Sequence, residues 1–230
     1  MLEAIRPHQH EFDLIVATGD LAQDQSSAPI SISLKASQVF VRLRLAAGQP
    51  RFPARDVQRV TGCGYLPAKR VFIGEQWQIL LLDSQVFGVP HGELSEFQLE
   101  WLERKLADAP ERHTLLLLHH HPLPAGCSWL DQHSLRNAGE LDTVLAKFPH
   151  VKYLLCGHIH QELDLDWNGR RLLATPSTCV QFKPHCSNFT LDTIAPGWRT
   201  LELHADGTLT TEVHRLADTR FQPDTASEGY

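Results

Sequence analysis

The sequence predicts an α/β fold built on a mixed β-sheet. Short apolar runs of strand length alternate with amphipathic runs of helical spacing through the first part of the chain. Two hairpin patterns then follow before the C-terminus. Alternation of strands and helices followed by hairpins is typical of a central sheet that ends in antiparallel strands.

Four apolar runs predict strands that are buried on both faces. They are residues 14–17, 78–83, 115–118 and 153–156, and each is dominated by Leu, Ile or Val. Strands covered on both faces have continuous apolar sequences, whereas half-exposed strands alternate. Residues 39–45 do alternate and are compatible with a further, half-exposed strand.

Two helices are predicted between these strands. Ser95 and Gln98 form a capping-box pattern, and Ala109-Pro110 ends the helix that follows. Asn137 with Glu140 forms the same kind of start for the second helix. The residues predicted to face the core are Phe97, Trp101, Leu102 and Leu106 in the first helix, and Leu141, Val144, Leu145 and Phe148 in the second.

Two dipeptides, Asn168-Gly169 and Asp206-Gly207, predict type I′ hairpins, because both central residues of that turn need a positive φ. We expect one domain over residues 1–230, with a flexible tail at 219–230. The strands flanking the two turns are residues 163–167 and 170–174, and residues 198–204 and 208–214.

Composition excludes several classes of protein. The net charge of -6 argues against a nucleic-acid binder, which needs clustered Lys and Arg. No apolar run is long enough to span a membrane, and residues 1–13 contain no apolar signal core, so we expect a cytoplasmic protein. The five cysteines form no CxxC pair, which favours reduced structural thiols over disulfides or a zinc–thiolate cluster.

Three motifs carry metal-binding chemistry, and each follows a predicted buried strand. They are Gly19-Asp20 with Asp24, the triplet His119 to His121, and Gly157-His158-Ile159-His160. Taken alone, each has an ordinary explanation as a turn or a solvated loop. Together they offer carboxylate and imidazole ligands at strand ends, where sites in such sheets gather. This combination predicts a metal site with hydrolytic chemistry.

In these motifs the sequence resembles the calcineurin-like metallophosphoesterases, whose pattern runs D-x-H, G-D, G-N-H-[DE], H-x-P and G-H-x-H. The matches are Gly19-Asp20, His120-His121-Pro122 and Gly157-His158-Ile159-His160, in the family's order. The resemblance covers residues 1–27 and about 67–230. From Pro67 onward the chain looks similar to the bacterial class III 3′,5′-cyclic AMP phosphodiesterases.

The resemblance implies a four-layer αββα sandwich lacking its first strand, and a phosphodiesterase that converts 3′,5′-cyclic AMP to 5′-AMP. It implies a dinuclear centre of iron or manganese that shares a hydroxide attacking phosphorus. Asp20 would bridge the two metals, His120 and His158 would hold one, and His160 would hold the other. His119, His121 and Asp24 would be supporting or substrate-facing residues. The implied partner is a small cyclic nucleotide.

Two elements of the family pattern are absent. No D-x-H precedes Asp20, and no G-N-H-[DE] lies between Asp20 and His120. The second would fall within residues 28–66, a basic segment with six Lys or Arg and a single acid, Asp56. One interpretation is that this segment is a basic surface excursion. Our hypothesis is that Met1 is a late start and that the segment is translated in a different reading frame. Reading the nucleotide sequence tests this hypothesis.

The missing elements leave open what this chain does with its remaining ligands. The alternatives to the cyclic AMP phosphodiesterase are an inactive relative that binds at most one metal and a phosphoesterase for another nucleotide or a phosphomonoester. Counting ligands by the family pattern, one metal would keep three protein ligands, which suffices for zinc-like sites, and the other would keep two.

Overall fold

The computed structural model describes residues 12–19, 40–43, 65–66, 70–217 and 223. The strands in these ranges are β1 Leu14–Ala17, β2 Phe40–Leu43, β3 Tyr65–Leu66, β4 Arg70–Ile73, β5 Trp77–Leu81, β6 His113–Leu118, β7 Val151–Cys156, β8 Leu163–Trp167, β9 Arg170–Ala174, β10 Gln181–Phe182, β11 Leu191–Asp192, β12 Gly197–Leu203 and β13 Leu209–Arg215. The helices are α1 Glu96–Ala107, α2 Ser128–Asp131 and α3 Ala138–Ala146.

A six-stranded mixed sheet forms the centre of the fold, with the strand order β4-β5-β6-β7-β9-β8. The four inner strands β5, β6, β7 and β9 are parallel, and the edge strands β4 and β8 are antiparallel to their neighbours. Helix α1 connects β5 to β6, and helix α3 precedes β7. The predicted α/β class, with a mixed sheet that ends in antiparallel strands, is confirmed.

The run of leucines in β6 is explained by burial on both faces of this sheet. Successive side chains of a strand point to opposite faces. Accordingly, Leu116 and Leu118 join a core cluster with the helices, while Leu115 and Leu117 join a second cluster on the other face. All four are at most 1% exposed. A continuous apolar run is therefore the pattern that this position in the fold requires.

The second cluster is covered by another layer of strands. Leu14 and Val16 of β1 and Leu201 and Leu203 of β12 pack against it, and Leu209 of β13 is one of its buried members. Strand β1 pairs with β2, which pairs with β3, and β12 pairs with β13, all antiparallel. The described residues thus form a helical layer, the six-stranded sheet and a second layer of strands. These three layers correspond to three of the four layers of the expected αββα sandwich.

The first predicted helix is confirmed, with one correction to its buried face. Ser95 is the N-cap, and its Oγ accepts from the Gln98 backbone N–H at 3.3 Å. Its buried residues are Leu99, Leu102 and Leu106. Phe97 is 62% exposed instead of facing the core, because at about 100° per residue it lies on the face opposite the stripe that these leucines define.

The second predicted helix is also confirmed, although its cap differs from the prediction. The Asn137 side chain makes no capping hydrogen bond within α3. Its Oδ1 accepts from Leu94 N at 2.9 Å and its Nδ2 donates to Leu94 O at 2.8 Å. This residue therefore fastens the helix start to the segment that precedes α1, a long-range contact that no local pattern reveals.

The two C-terminal hairpins are present, but only one has the predicted turn. Asn168 and Gly169 have φ values of 54° and 80°, as a type I′ turn requires. In the other hairpin Gly207 has a positive φ and Asp206 does not. Asp206 Oδ1 instead accepts from Thr208 N at 2.9 Å, so an Asx-type contact shapes a longer connection.

Several predictions fall partly outside the described residues. Within residues 28–66 the structure describes β2 and β3, and β2 matches the strand expected at 39–45. Within 219–230 it describes Pro223. The single domain over residues 1–230 stays a prediction. Within the described ranges, no helix combines the length and apolarity that crossing a bilayer requires.

Candidate metal centre

The carboxyl ends of β6 and β7 bring the two histidine motifs together. The strands are parallel neighbours, with Leu118 paired to Cys156. One residue further on, the Gly157 backbone N–H donates to the His119 carbonyl at 3.1 Å. Consequently, the His119 to His121 triplet and the loop that starts at Gly157 begin side by side, as their positions after buried strands predict.

The end of β1 packs against the carboxyl ends of β6 and β7. Thr18 O accepts from His119 Nδ1 at 2.7 Å. Gly19 has φ +120°, and a Cβ there would lie 2.1 Å from His119 Nδ1; a Cβ on Gly157 would lie 2.7 Å from Thr18 Oγ1. Glycine is therefore needed at both positions for the three strand ends to approach this closely.

Three imidazoles converge at this junction. Ligand nitrogens of His119, His120 and His158 all lie within 4.8 Å of one another. Because Thr18 O can only accept, His119 carries its proton on Nδ1 and presents a lone pair on Nε2. That Nε2 lies 3.2 Å from His158 Nδ1. His158 Nε2 is enclosed and has no hydrogen-bond partner among the described residues.

His120 is held from the other side by Ser84. The Ser84 hydroxyl lies 2.7 Å from His120 Nδ1 and also accepts from the His120 backbone N–H at 3.3 Å. Gly92 closes the same pocket, since a Cβ there would lie 2.3 Å from His120 Nδ1. With Nδ1 engaged, Nε2 is the nitrogen of His120 that remains for a ligand.

Burial keeps two of these rings neutral. Burial first, and then the neighbouring His119 and His121, together lower the pKa of His120 from 6.5 to about 2. Burial also lowers the pKa of His158 well below 6.5, with His119 and His120 adding to the effect. An imidazole must be unprotonated to bind a metal, so both rings are in the ligating form at neutral pH.

The other predicted site residues lie around this group or outside the described residues. Asp20 and Asp24 are outside the described residues. His160 stacks on Phe182, with ring centroids 4.3 Å apart and planes at 5°, and lies outside the group of three. His121 stacks on His158 at 5.7 Å, and its Nε2 lies 3.4 Å from Asp131 Oδ1. Which of the histidines ligate stays a prediction.

The backbone of the second histidine motif is unusual. His158 and His160 have φ values of 64° and 51°, in the left-handed region that non-glycine residues seldom occupy. Such conformations persist only where the surroundings impose them, and they gather at functional sites.

Sequence reasoning gave His119 a supporting or substrate-facing role, which stays a prediction although His119 lies in the group of three, and it did not identify Ser84. Three consecutive histidines do not reveal which rings face inward, because the chain leaves regular strand geometry after Leu118. Ser84 was detectable in principle, since it is a polar residue that follows the buried strand β5 as the histidines follow β6 and β7. The rule that sites gather at strand ends applies to it equally.

The donor set fits a divalent metal ion. Imidazole nitrogens suit zinc, iron and related metals. His158 Nε2 is enclosed and has no hydrogen-bond partner among the described residues, and a buried polar atom of this kind calls for an explanation such as a bound ion. The adjacent Cys156 lies outside the group of three, and burial raises the pKa of its thiol to about 12. His119 and His158, with His120 from the pocket side, are the residues that would hold the ion.

Replacing Ser84 by alanine should weaken metal binding about tenfold while the fold is retained. The change frees His120 Nδ1, and losing a partner that orients a ligand typically costs about 10–100-fold in metal affinity. Titration with Mn²⁺ by calorimetry measures it, and Ser187→Ala, at an exposed position, is the matched control. Unchanged affinity in Ser84→Ala would mean that His120 is not a ligand.

Comparison with known proteins decides the family. The sequence profile of the calcineurin-like phosphoesterases matches residues 1–162. The chain belongs to this family. The predicted resemblance is therefore confirmed, and with it a metallophosphoesterase fold and metal-dependent phosphoester hydrolysis as the family's chemistry.

Two relatives of this calcineurin-like phosphoesterase have the same name. Over 236 residues it is 84% identical to the 3′,5′-cyclic adenosine monophosphate phosphodiesterase CpdA of Escherichia coli (strain K12), covering 100% of this chain and 84% of the relative. The CpdA of Haemophilus influenzae is 48% identical, with the same coverages. A dimetal phosphatase from Danio rerio has a TM-score of 0.35 and 20% identity, covering 48% of this chain and 35% of that one, which supports no inference.

Proposed function

We propose that this protein hydrolyses 3′,5′-cyclic AMP to 5′-AMP in a metal-dependent reaction. The observation that carries the proposal is the convergence of His119, His120 and His158 at the ends of two parallel strands, with His120 and His158 as neutral imidazoles. Relatives at 84% and 48% identity are named as phosphodiesterases of this nucleotide. A net charge of -6 favours a small phosphodiester over a nucleic acid as substrate.

The protein's own residues hold the histidine rings of the centre in fixed orientations. Thr18 O fixes the tautomer of His119, and Ser84 fixes the orientation of His120, so both rings are held before any ligand arrives. A divalent ion bound there supplies a Lewis acid that activates water and neutralises charge developing on the phosphoryl group. We propose iron or manganese as that ion and Asp20 and His160 as further ligands, following the family pattern.

A specific observation favours a second candidate, a relative that binds metal without turnover. Residues 21–118 contain no asparagine, so the G-N-H-[DE] element of the family pattern is absent from this part of the sequence. The histidine of that element would donate a proton to the leaving group, and general acid catalysis typically contributes about 10²–10⁴-fold. The second candidate therefore predicts intact metal binding with rates lowered by that factor.

One experiment separates these candidates. Purified protein is titrated with Mn²⁺, and hydrolysis of 3′,5′-cyclic AMP, cyclic GMP and p-nitrophenyl phosphate is followed in parallel by chromatography of the products. Release of 5′-AMP that rises with metal occupancy, and exceeds turnover of the other two esters, supports the phosphodiesterase. Saturable metal binding without hydrolysis of any ester supports the second candidate, and preferential turnover of p-nitrophenyl phosphate indicates a phosphomonoesterase.

We also propose a cytoplasmic location. The four described cysteines, Cys127, Cys156, Cys179 and Cys186, are all free thiols. Free thiols are the rule in reducing compartments, whereas secreted proteins usually oxidise theirs. Fractionation of cells that express the protein, with detection by antibody, tests the location.

A further inference from the structure

A group of aromatic rings extends from the metal centre across the neighbouring loops. His133 lies 6.2 Å from His158, centroid to centroid, and Trp129 lies 6.3 Å from His133. Trp129 continues to Phe182 at 5.0 Å and Phe189 at 5.2 Å. The group therefore starts at a ring of the metal centre and leads away from it.

Trp129 and His133 form a corner at the near end of this group. Their planes meet at 85°, and both side chains are half-buried, so each ring retains solvent-accessible surface. The described ring contacts of Trp129, with His133, Phe182 and Phe189, are all edge-to-face at 70° to 85°. No described ring is stacked parallel on the indole.

Trp129 packs against the first core cluster, but its polar atom is unusual. Its Nε1 is enclosed yet has no hydrogen-bond partner among the described residues. A buried indole N–H usually finds a partner. By contrast, Trp77 of the second core cluster donates its Nε1 to His204 O.

We propose that Trp129 and His133 form the wall that binds the nucleobase of the substrate, an inference that rests on the proposed function. A cyclic nucleotide carries its base and its phosphate on one ribose, so a base wall must lie beside the phosphate site. The corner meets this condition, because His133 contacts His158 directly. Purines stack on aromatic side chains, and stacking requires no charge at the site.

The expected effect follows from the stacking energy. Loss of one base–aromatic stack typically costs about tenfold in affinity or more. Phosphate carries no base, so its binding at the metal centre should not change. The ratio of AMP affinity to phosphate affinity thus isolates the contribution of the wall from that of the metal centre.

The test uses the full chain loaded with Mn²⁺ and measures binding of 5′-AMP and of inorganic phosphate by calorimetry. Trp129→Leu should bind AMP about tenfold more weakly with phosphate binding unchanged, His133→Ala should act in the same direction, and Trp129→Phe should retain most of the affinity. Trp198→Leu is the matched control, since Trp198 lies in β12 and stacks on His214. Quenching of tryptophan fluorescence by AMP should be lost in Trp129→Leu and kept in Trp198→Leu.

Four outcomes overturn the proposal in distinguishable ways. If Trp129→Leu binds AMP as the unmodified protein does, the wall is not there. If it loses AMP and phosphate equally, Trp129 only supports the fold around the metal centre. If the unmodified protein binds phosphate but holds AMP no more tightly, the base wall fails and the metal centre stands; if it binds neither, the proposed function fails as well.

Discussion

Replacing His158 by alanine should abolish metal binding at the centre and, with it, hydrolysis. His158 is the ring on which the others converge: its Nδ1 lies 3.2 Å from His119 Nε2, and its Nε2 has no hydrogen-bond partner among the described residues. Loss of a residue that merely orients a ligand costs about 10–100-fold in metal affinity, so loss of the ligand itself should cost on the order of 100-fold or more.

Elemental analysis after dialysis against Mn²⁺ and calorimetric titration measure this effect. His214→Ala is the matched control, because His214 lies in β13, packs on Trp198 and should leave metal content unchanged. The variant loses the contact of His158 Nδ1 with His119 Nε2, but the enclosed Nε2 has no partner among the described residues to leave unsatisfied, so we expect the variant to fold, and its melting curve checks this. Full metal content in His158→Ala would place the ion elsewhere and remove the basis of the proposed function.

The second large effect is expected from Gly19→Ala. The new Cβ would lie 2.1 Å from His119 Nδ1, and the backbone φ of +120° is one that alanine rarely adopts. Relief requires the His119 ring to move and its hydrogen bond to Thr18 O to break. We expect a loss of about 2–4 kcal/mol in the free energy of unfolding, from overpacking and backbone strain together, and loss of metal binding.

Gly169→Ala is the control that separates the effect of backbone strain from the effect of the steric clash between the new Cβ and His119. Gly169 also has a positive φ, +80°, but a Cβ there meets no atom within 4 Å. Both substitutions change the unfolded chain alike, so the difference between their melting curves reports the contact with His119. Equal destabilisation of the two variants, with metal binding kept in both, would show that β1 does not close the centre.

The sequence was sufficient for the framework of the site because the relevant signals are local. Apolar runs that end in Gly-Asp, His-His-His and Gly-His located the ends of β1, β6 and β7. The rule for parallel strands placed the ends of β6 and β7 at one edge, whereas β1 belongs to a separate antiparallel sheet and reaches the same place through Thr18 O. The N-cap of α1 and the Asn168-Gly169 turn were equally local.

Long-range contacts account for what could not be predicted. The bond of Asn137 to Leu94 spans 43 positions, and that of Ser84 to His120 spans 36. The role of His119 depends on the carbonyl of Thr18, 101 positions away. In each case one side chain has several plausible partners, and the choice is made by packing that no short pattern encodes.

The left-handed backbone of His158 and His160 sets a limit on how this protein can be stabilised. A non-glycine residue in that conformation costs about 1–3 kcal/mol. Glycine at position 158 would relieve the strain and would remove the ring around which the others gather. A screen for thermal tolerance alone should therefore enrich inactive variants at these two positions, and a useful engineering campaign must select for catalysis and heat resistance together.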